Sequence, residues 1–521
     1  MRRFFLFAAL GLSVMAQAIE LDYYKTLIDE QADATKGQTQ LYTLDYCADG
    51  SLLLLSSYQT ATAEEVGMTF AGNTYNGATA AKWGANDGEL KVSNMRNSFL
   101  AKIDANGDLL WAKPDTTGDY DLAGTAVTVT ADGGVIYADK FRTRKGRYMS
   151  FINWYGADGN FVESNNLTFS TVKTAEMTAE PLDSYAWAGV VQAEDSTVYL
   201  AGYQADSIFP TWQDTIPMRP NSWNGNSTTK SSNCNTVVIK YDKTLKYVGY
   251  VINSDELVYD RPTGLHYENG KLYVAGTYSN GTETGIYAAR YDKDLHREYI
   301  QYHPVTGSLQ FQQTKFADGK IFVCGGLAKG SITVGDKTLE TTGNFNHGLV
   351  YVMNMSDGSL VNAAVRSASG NALNITVAAY PTKDGYVAYN HETLNGISMA
   401  LNYDKDMNLV SADTLATGGG SSNVSVVGRS ADGKKTAVGL RARTTAAFNL
   451  LNEEPMNFAD KTNWYSVIAV LNTEEQITTD LGEVRKNDVR CTKVLRNGVV
   501  MIERNGVLYD VQGRVVERVK E

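Results

Sequence analysis

Asp104-Ala-Asn106-Gly-Asp108, inside SFLAKIDANGDLLWAK, sets three oxygen-bearing side chains at the spacing of a calcium loop. Such a loop calls for a glutamate at its twelfth position, and here Pro114 and Asp115 occupy that region. Related stretches at Gly156-Ala-Asp158-Gly-Asn160, Tyr241-Asp-Lys-Thr-Leu245, Asp292-Lys-Asp294-Leu, Ser356-Asp-Gly358 and Asp404-Lys-Asp406-Met-Asn408 keep Asp, Asn and Gly in variable order and lose the full ligand set. These residues tolerate positive φ or bond to their own backbone, so the expectation is a hairpin turn. The histidines, His266, His296, His303, His347 and His391, show no metal-ligand spacing. Adjacent acids such as Glu64-Glu65, Asp255-Glu256 and Glu453-Glu454 do not establish the opposed carboxyls of a glycosidase. Cys47, Cys234, Cys324 and Cys491 form no C-x-x-C pair, so no zinc or redox motif is expected and three disulfide pairings stay open. No cofactor and no metal is expected.

The elements that would position these residues come from a repeat. One half-unit is an alternating strand, a Gly- or Asp-bearing turn and a second strand, as in AGVVQAEDSTVYLAGY and TGLHYENGKLYVAGTY. The other is SFLAKIDANGDLLWAK, TVVIKYDKTLKYVGYV or SMALNYDKDMNLVSAD. Seven copies of each alternate along the chain, and their period of two is that of a pleated strand. The fold expected is all-β, a seven-bladed β-propeller of four-stranded antiparallel blades at residues 41–480. Calling the strands A to D from the axis outward puts the VYVAG half at A and B. The opposite phase, in which N-terminal strands complete the last blade, stays open. Residues 19–40 then form a lead-in, and 481–521 a C-terminal β-hairpin or meander, since Asn497-Gly498 and Asn505-Gly506 separate short apolar strands.

Connections B–C are long in blades one, three, five and seven, roughly 61–96, 205–233, 328–346 and 444–463. They share a rim with the D–A connections, and that rim is the expected binding face. A second reading has the insertions, among them MTFAGNTY, SITVGDKTLE and FNLLNEEPM, merely extending outer strands. The blade-three insertion carries Trp212 and Trp223, a possible aromatic platform for sugar rings. The D–A connections carry Tyr120, Asp121, Tyr185, Trp187, Tyr259, Asp260, Arg261 and Gln312, a candidate small-ligand mouth.

Lys and Arg number 47 against 58 Asp and Glu, a net charge of −11, and no basic cluster follows the first residues, so no nucleic-acid partner is expected. Met1–Ala18 has two arginines, an apolar run and Ala16-Gln17-Ala18, the pattern of a cleaved signal peptide. After it no transmembrane segment is expected, and the reading is an exported monomer in the periplasm, at the outer surface or secreted.

Best over residues 97–138, and more loosely over 41 to about 480, the repeat resembles the bacterial β-propeller repeat family, whose units read approximately as D-x-F-V-A-K-Y-D-x-x-G-N-L-L-W followed by A-x-A-V-D-x-x-G-N-x-Y-V-x-G. YDVQGRVV, Tyr509–Val516, resembles the start of a type IX sorting segment of exported Bacteroidetes proteins, truncated at Glu521; a packing or anchoring hairpin is the other reading. The function expected is non-enzymatic binding or scaffolding, with a glycan or an envelope or host protein as partner. The alternative is a carbohydrate-active enzyme, a hydrolase or lyase, with its site around Asp121, Tyr185 and Asp260.

Overall fold

The computed structural model describes residues 19–29, 39–60, 66–76, 95–114, 126–142, 148–169, 185–204, 208–209, 214, 216–217, 234–253, 259–367, 373–393, 396–418, 422–443, 448–451, 453–456 and 464–473, and in the tail 491–496, 499–504, 507–509 and 515–518. Alternating residues let each strand present one face to the sheet on either side of it, which is why the repeat folds as stacked sheets. Blade one shows the pattern: Thr39–Tyr46, Leu52–Thr60, Met95–Ile103 and Leu109–Pro114 pair antiparallel in that order. The seven A strands are Thr39–Tyr46, Ala126–Val129, Tyr185–Gln192, Tyr259–Glu268, Thr306–Ala317, Asn374–Pro381 and Ser422–Arg429. Each lies beside the next around a closed ring, and the chain is a seven-bladed β-propeller.

The last blade resolves the open question of closure. Its D position is filled by Glu20–Asp29, which runs antiparallel to Trp464–Asn472. The segment expected as a lead-in is therefore the outer strand of blade seven. The stretch after Thr473 expected in that place lies outside the described residues. The seam is sealed on its inner side as well. A Cβ on Gly428 of blade seven would stand 2.2 Å from the Leu44 carbonyl oxygen of blade one, so only glycine lets the two A strands approach this closely.

The apolar core is divided among the blade interfaces. Buried side chains form seven clusters among the described residues, one at each interface. The first-to-seventh interface is built like the rest, from Leu41, Leu54 and Phe99 against Val426, Ile468 and Leu27. Tyrosines supply most of the largest fully buried side chains, among them Tyr58, Tyr199, Tyr287 and Tyr351. Their length suits a wedge that widens outward between flat sheets.

The insertions mostly form straps, as the second reading had it, but they bridge to the preceding blade. Val66–Phe70 from blade one pairs with Glu20–Asp29 of blade seven. Ile208–Phe209 from blade three pairs with Phe161–Phe169 of blade two. Phe448–Leu450 from blade seven pairs with Leu409–Gly418 of blade six. Each strap occupies an outer edge that would otherwise offer free amides and carbonyls to another chain. In blade five the insertion instead folds on itself, with Ser331–Val334 paired to Lys337–Glu340.

The DANGD stretch is a hairpin turn with a second task. Asp104 Oδ1 accepts from the Asn106 and Asp108 amides, both at 2.8 Å, so turn amides occupy the carboxylate. The matching position of each turn has positive φ: Gly107 at 86°, Gly159 at 76° and Gly358 at 73°, but Leu245 at 55°, Leu295 at 67° and Met407 at 60°. The two sets are packed in different ways. Each glycine turn receives an aromatic side chain from the preceding blade: Tyr23 on Gly107, Trp111 on Gly159 and Tyr299 on Gly358. Leu245, Leu295 and Met407 bury their own side chains in the interface cores. Burial offsets the left-handed strain of roughly 1–2 kcal/mol.

The tail is a separate unit of 474–521. Cys491–Arg496, Val499–Arg504, Val507–Tyr509 and Val515–Arg518 form a four-stranded antiparallel meander, as the Asn-Gly pairs predict. No helix occurs among the described residues, so none is long and apolar enough to cross a membrane.

Two stability outcomes follow. Leu27 is fully buried in the closing interface, and Leu27→Ala should cost about 2–5 kcal/mol in denaturant unfolding, whereas Leu110→Ala, at 52% exposure, should stay within about 0.5 kcal/mol of wild type. A Cβ on Gly159 would meet Trp111 at 2.8 Å. Gly159→Ala should therefore destabilise the wild type by at least about 1 kcal/mol more than it destabilises Trp111→Ala, a coupling read from a double-mutant cycle.

Candidate functional site

The strand Tyr259–Glu268 enters blade four beside the point where the blade-three insertion ends at Cys234. The Asp260 amide donates to the Cys234 carbonyl at 2.9 Å and ties the insertion's root to the next blade. Strand alternation then sends Tyr259 and Arg261 to one face and Asp260 to the other.

The Arg261 guanidinium carbon lies 4.9 Å from the Tyr203 ring centre and 5.8 Å from that of Tyr259. Its Nε donates to Cys234 Sγ at 3.1 Å. The planar cation is thus held between two aromatic faces and a sulfur, and no described residue hydrogen-bonds its terminal amino groups. Burial opposes the charge, but the Cys234 thiol and the two phenols outweigh it and hold Arg261 above its ordinary value. Burial also pushes the Cys234 thiol up to about 11, against the pull of Arg261. The group can offer a fixed cation, two ring edges and donor hydrogens to an oxyanion or a polyol.

Asp260 does not stand at the mouth. Its carboxylate is fully buried between blades three and four, where Asn253 Nδ2 donates to Oδ2 at 2.8 Å. Tyr291 in turn donates to Asn253 Oδ1, and Arg297 donates to the Asn253 carbonyl at 2.6 Å. Burial and the Asp260 charge raise both Tyr287 and Tyr291 well above a free phenol. This is an interblade network whose carboxylate no bulky substrate reaches.

Trp187 is likewise turned inward, 4% exposed, in the core shared with Ala126, Ile136 and Val190. Tyr185 pairs through its backbone with Gln204, and its side chain is outside the described residues. Tyr120, Asp121, Trp212 and Trp223 also lie outside them. Of the expected mouth residues, then, the described structure brings Tyr259 and Arg261 together and separates Asp260 and Trp187 from them. Gln312 is exposed at a bulge of its strand.

Tyr203 was not singled out by sequence, and Cys234 was read only as one of four distant cysteines, because the residues that meet them are far away in sequence. Near the opposite ends of the A strands stands a further group that went unread: Asp45 of blade one and Lys315 of blade five, across the ring. Burial raises the Asp45 carboxyl and lowers the Lys315 amine, while each charge counteracts the shift of the other. Lys315 Nζ sits 6.0 Å from the Tyr380 ring centre, and Arg429 approaches the same ring at 5.7 Å. Charged residues near the ends of innermost strands, as in QTKF and TLDY, were the available signal.

The histidines serve the fold. Burial lowers His391 to about 4 and also lowers His266 and His303, while His296 pairs with Asp292 at 3.0 Å. Among the described residues no group of three His, Cys, Asp or Glu could hold a metal ion. Cys47, Cys234 and Cys324 are buried.

No family model matches the chain, and no curated protein matches it. Among solved structures it is similar to an acylaminoacyl peptidase of Pyrococcus horikoshii, at 9% identity and a TM-score of 0.40 over 92% of this chain and 59% of that one. It is also similar to the Synechocystis apocarotenoid oxygenase, at 10% identity and 0.37 over 75% and 92%, and to the WD40 repeats of RRP9, at 10% and 0.31 over 67% and 95%. At these scores the propeller assignment stands on the strand topology itself.

At pH 8 a thiol held near 11 is about one part in a thousand thiolate, against about a quarter for a free cysteine. Iodoacetamide should therefore label native Cys234 at least about a hundredfold more slowly than denatured Cys234, read by peptide mass spectrometry. Comparable rates would show that the Arg261–Cys234 contact is open in solution.

Proposed function

We propose that this chain is an exported, non-enzymatic propeller that binds an acidic glycan where the blade-three insertion meets blade four. The carrying observation is Arg261, stacked on Tyr203 and Tyr259 with its terminal amino groups left to a ligand. A guanidinium suits a sugar carboxylate by paired hydrogen bonds, and the tyrosine edges suit the ring that bears it. Trp212 and Trp223, carried on the same insertion, would extend this face along neighbouring sugars. The signal pattern of Met1–Ala18 agrees with a glycan encountered outside the cytoplasm. Burial of Asp260 removes one of the two acids on which the hydrolase or lyase alternative relied, leaving Asp121.

Calorimetry of residues 19–521 with oligogalacturonate and with neutral cello-oligosaccharides tests this reading. The acidic chain should bind at least about tenfold more tightly, Arg261→Ala and Tyr259→Ala should each weaken it by about tenfold, and chromatography should show no shortened products. Product formation abolished by Asp121→Ala would establish the enzyme instead. Equal binding of neutral chains, unaffected by Arg261→Ala, would remove this site.

A further inference from the structure

A cleft of about 370 Å³ opens between the outer strand of blade five and the sheet of blade six. The blade-five hairpin shapes it, because that insertion folds on itself instead of strapping blade four. Leu339 from the hairpin, Ala363 and Val365 from strand D of blade five, and Met407 and Leu409 from blade six give it apolar walls. The volume falls in the range of small-molecule sites.

The polar side chains of the cleft are Arg366, Tyr403, Lys337, Ser367 and Asn408, none of them a carboxylate. Arg366 ends the blade-five strand with its Nε buried and without a hydrogen-bond partner. Its Nη2 meets a thioether, Met399 Sδ, at 3.8 Å. No described carboxylate pairs with it. The Tyr403 phenol is 7% exposed, and burial pushes it up to about 12 against the nearby Arg366 charge, so it stays a neutral hydroxyl donor. Lys337 stands exposed at the mouth. Asp404, next to Tyr403 in sequence, spends its oxygens on the Asp406 amide at 2.9 Å, the Asn408 amide at 2.8 Å and Asn408 Nδ2 at 2.9 Å. Arg366 is half-buried, and a buried Nε without a partner costs stability that an oxyanion in the cleft would relieve.

We infer that this cleft is a second binding site, for a small organic anion: a carboxylate seated between Arg366 and Tyr403, with an apolar body along Leu339, Ala363 and Met407. It is separate from the blade-three rim, since it lies between blades five and six. Arg366 supplies paired donors in the plane of the carboxylate, and Tyr403 gives a third hydrogen bond. Lys337 raises the local anion concentration at the entrance.

The probes are 2-naphthoate, its uncharged analogue 2-naphthamide, 2-naphthyl phosphate and inorganic phosphate, titrated into the full chain by fluorescence or calorimetry. Naphthoate should bind saturably and at least about tenfold more tightly than the amide, and inorganic phosphate should not displace it. Arg366→Met should weaken naphthoate by about tenfold or more, and Lys337→Glu, on an exposed hairpin that tolerates the change, by several-fold. Glycan binding should be unchanged in both variants, which separates this site from the other. Tighter binding of naphthyl phosphate, with the same response to the variants, would overturn the carboxylate assignment in favour of a phosphate ester. Equal affinity for acid and amide, or indifference to both variants, would overturn the site.

Discussion

A ring of sheets is stable only if its last interface is as good as the others, and everything else in this molecule depends on how that interface is closed. Glu20–Asp29 is hydrogen-bonded on both edges, to Trp464–Asn472 inside and to Val66–Phe70 outside. One strand thus joins the start of the chain, the insertion of blade one and the end of the propeller. Across the same seam Thr39 Oγ1 bonds Ser466 Oγ at 3.2 Å, between residues 427 apart in sequence. Unzipping the seam would expose two sheet faces and break the circle of seven cores.

The blade contacts show two solutions to one geometric demand. Every described C–D turn with a left-handed residue needs its hollow filled, by a neighbour's aromatic over glycine or by the turn's own Leu or Met. The A–B rim and the outer edges are committed in this way to holding blades together. What the scaffold leaves uncommitted is informative by contrast: the donor groups of Arg261 at one interface and of Arg366 at another. Elsewhere arginines are tied into the fold, as Arg297 is to the Asn253 carbonyl and Arg429 to that of Pro381.

Blade number, strand order and turn positions were legible because they rest on local pairing, in which a strand, a Gly- or Asp-bearing turn and the next strand lie within about twenty residues. Closure was not, since Glu20–Asp29 has no alternating partner nearby and its pairing is set by an edge more than four hundred residues away. The straps were read as strand pairs, but their attachment to the preceding blade depends on the offset between adjacent sheets. At the candidate site, proximity of Tyr259, Asp260 and Arg261 was readable while their facing was not. A one-residue change of parity decides whether a carboxylate meets solvent or Asn253, and parity along these A strands is shifted by bulges such as the one between Pro262 and Gly264. Cys234 could be read only as a thiol of open pairing, because it bounds an insertion with no periodic pattern.

The outer strand of blade seven is also the first described strand to be synthesised, and its inner partner is the last of the propeller. Until almost the whole propeller exists, that strand has only the Val66–Phe70 strap to pair with. Six blades can assemble from neighbouring hairpins, but the seventh must wait, and loop-closure entropy makes such distant pairing slow. A chain whose ring has not yet closed would be an open arc with an unpaired edge at each end, complementary to one another. At high concentration the same complementarity permits the leading strand of one chain to complete the blade of another, so the closing strand that stabilises the finished ring is also its route to domain-swapped assembly.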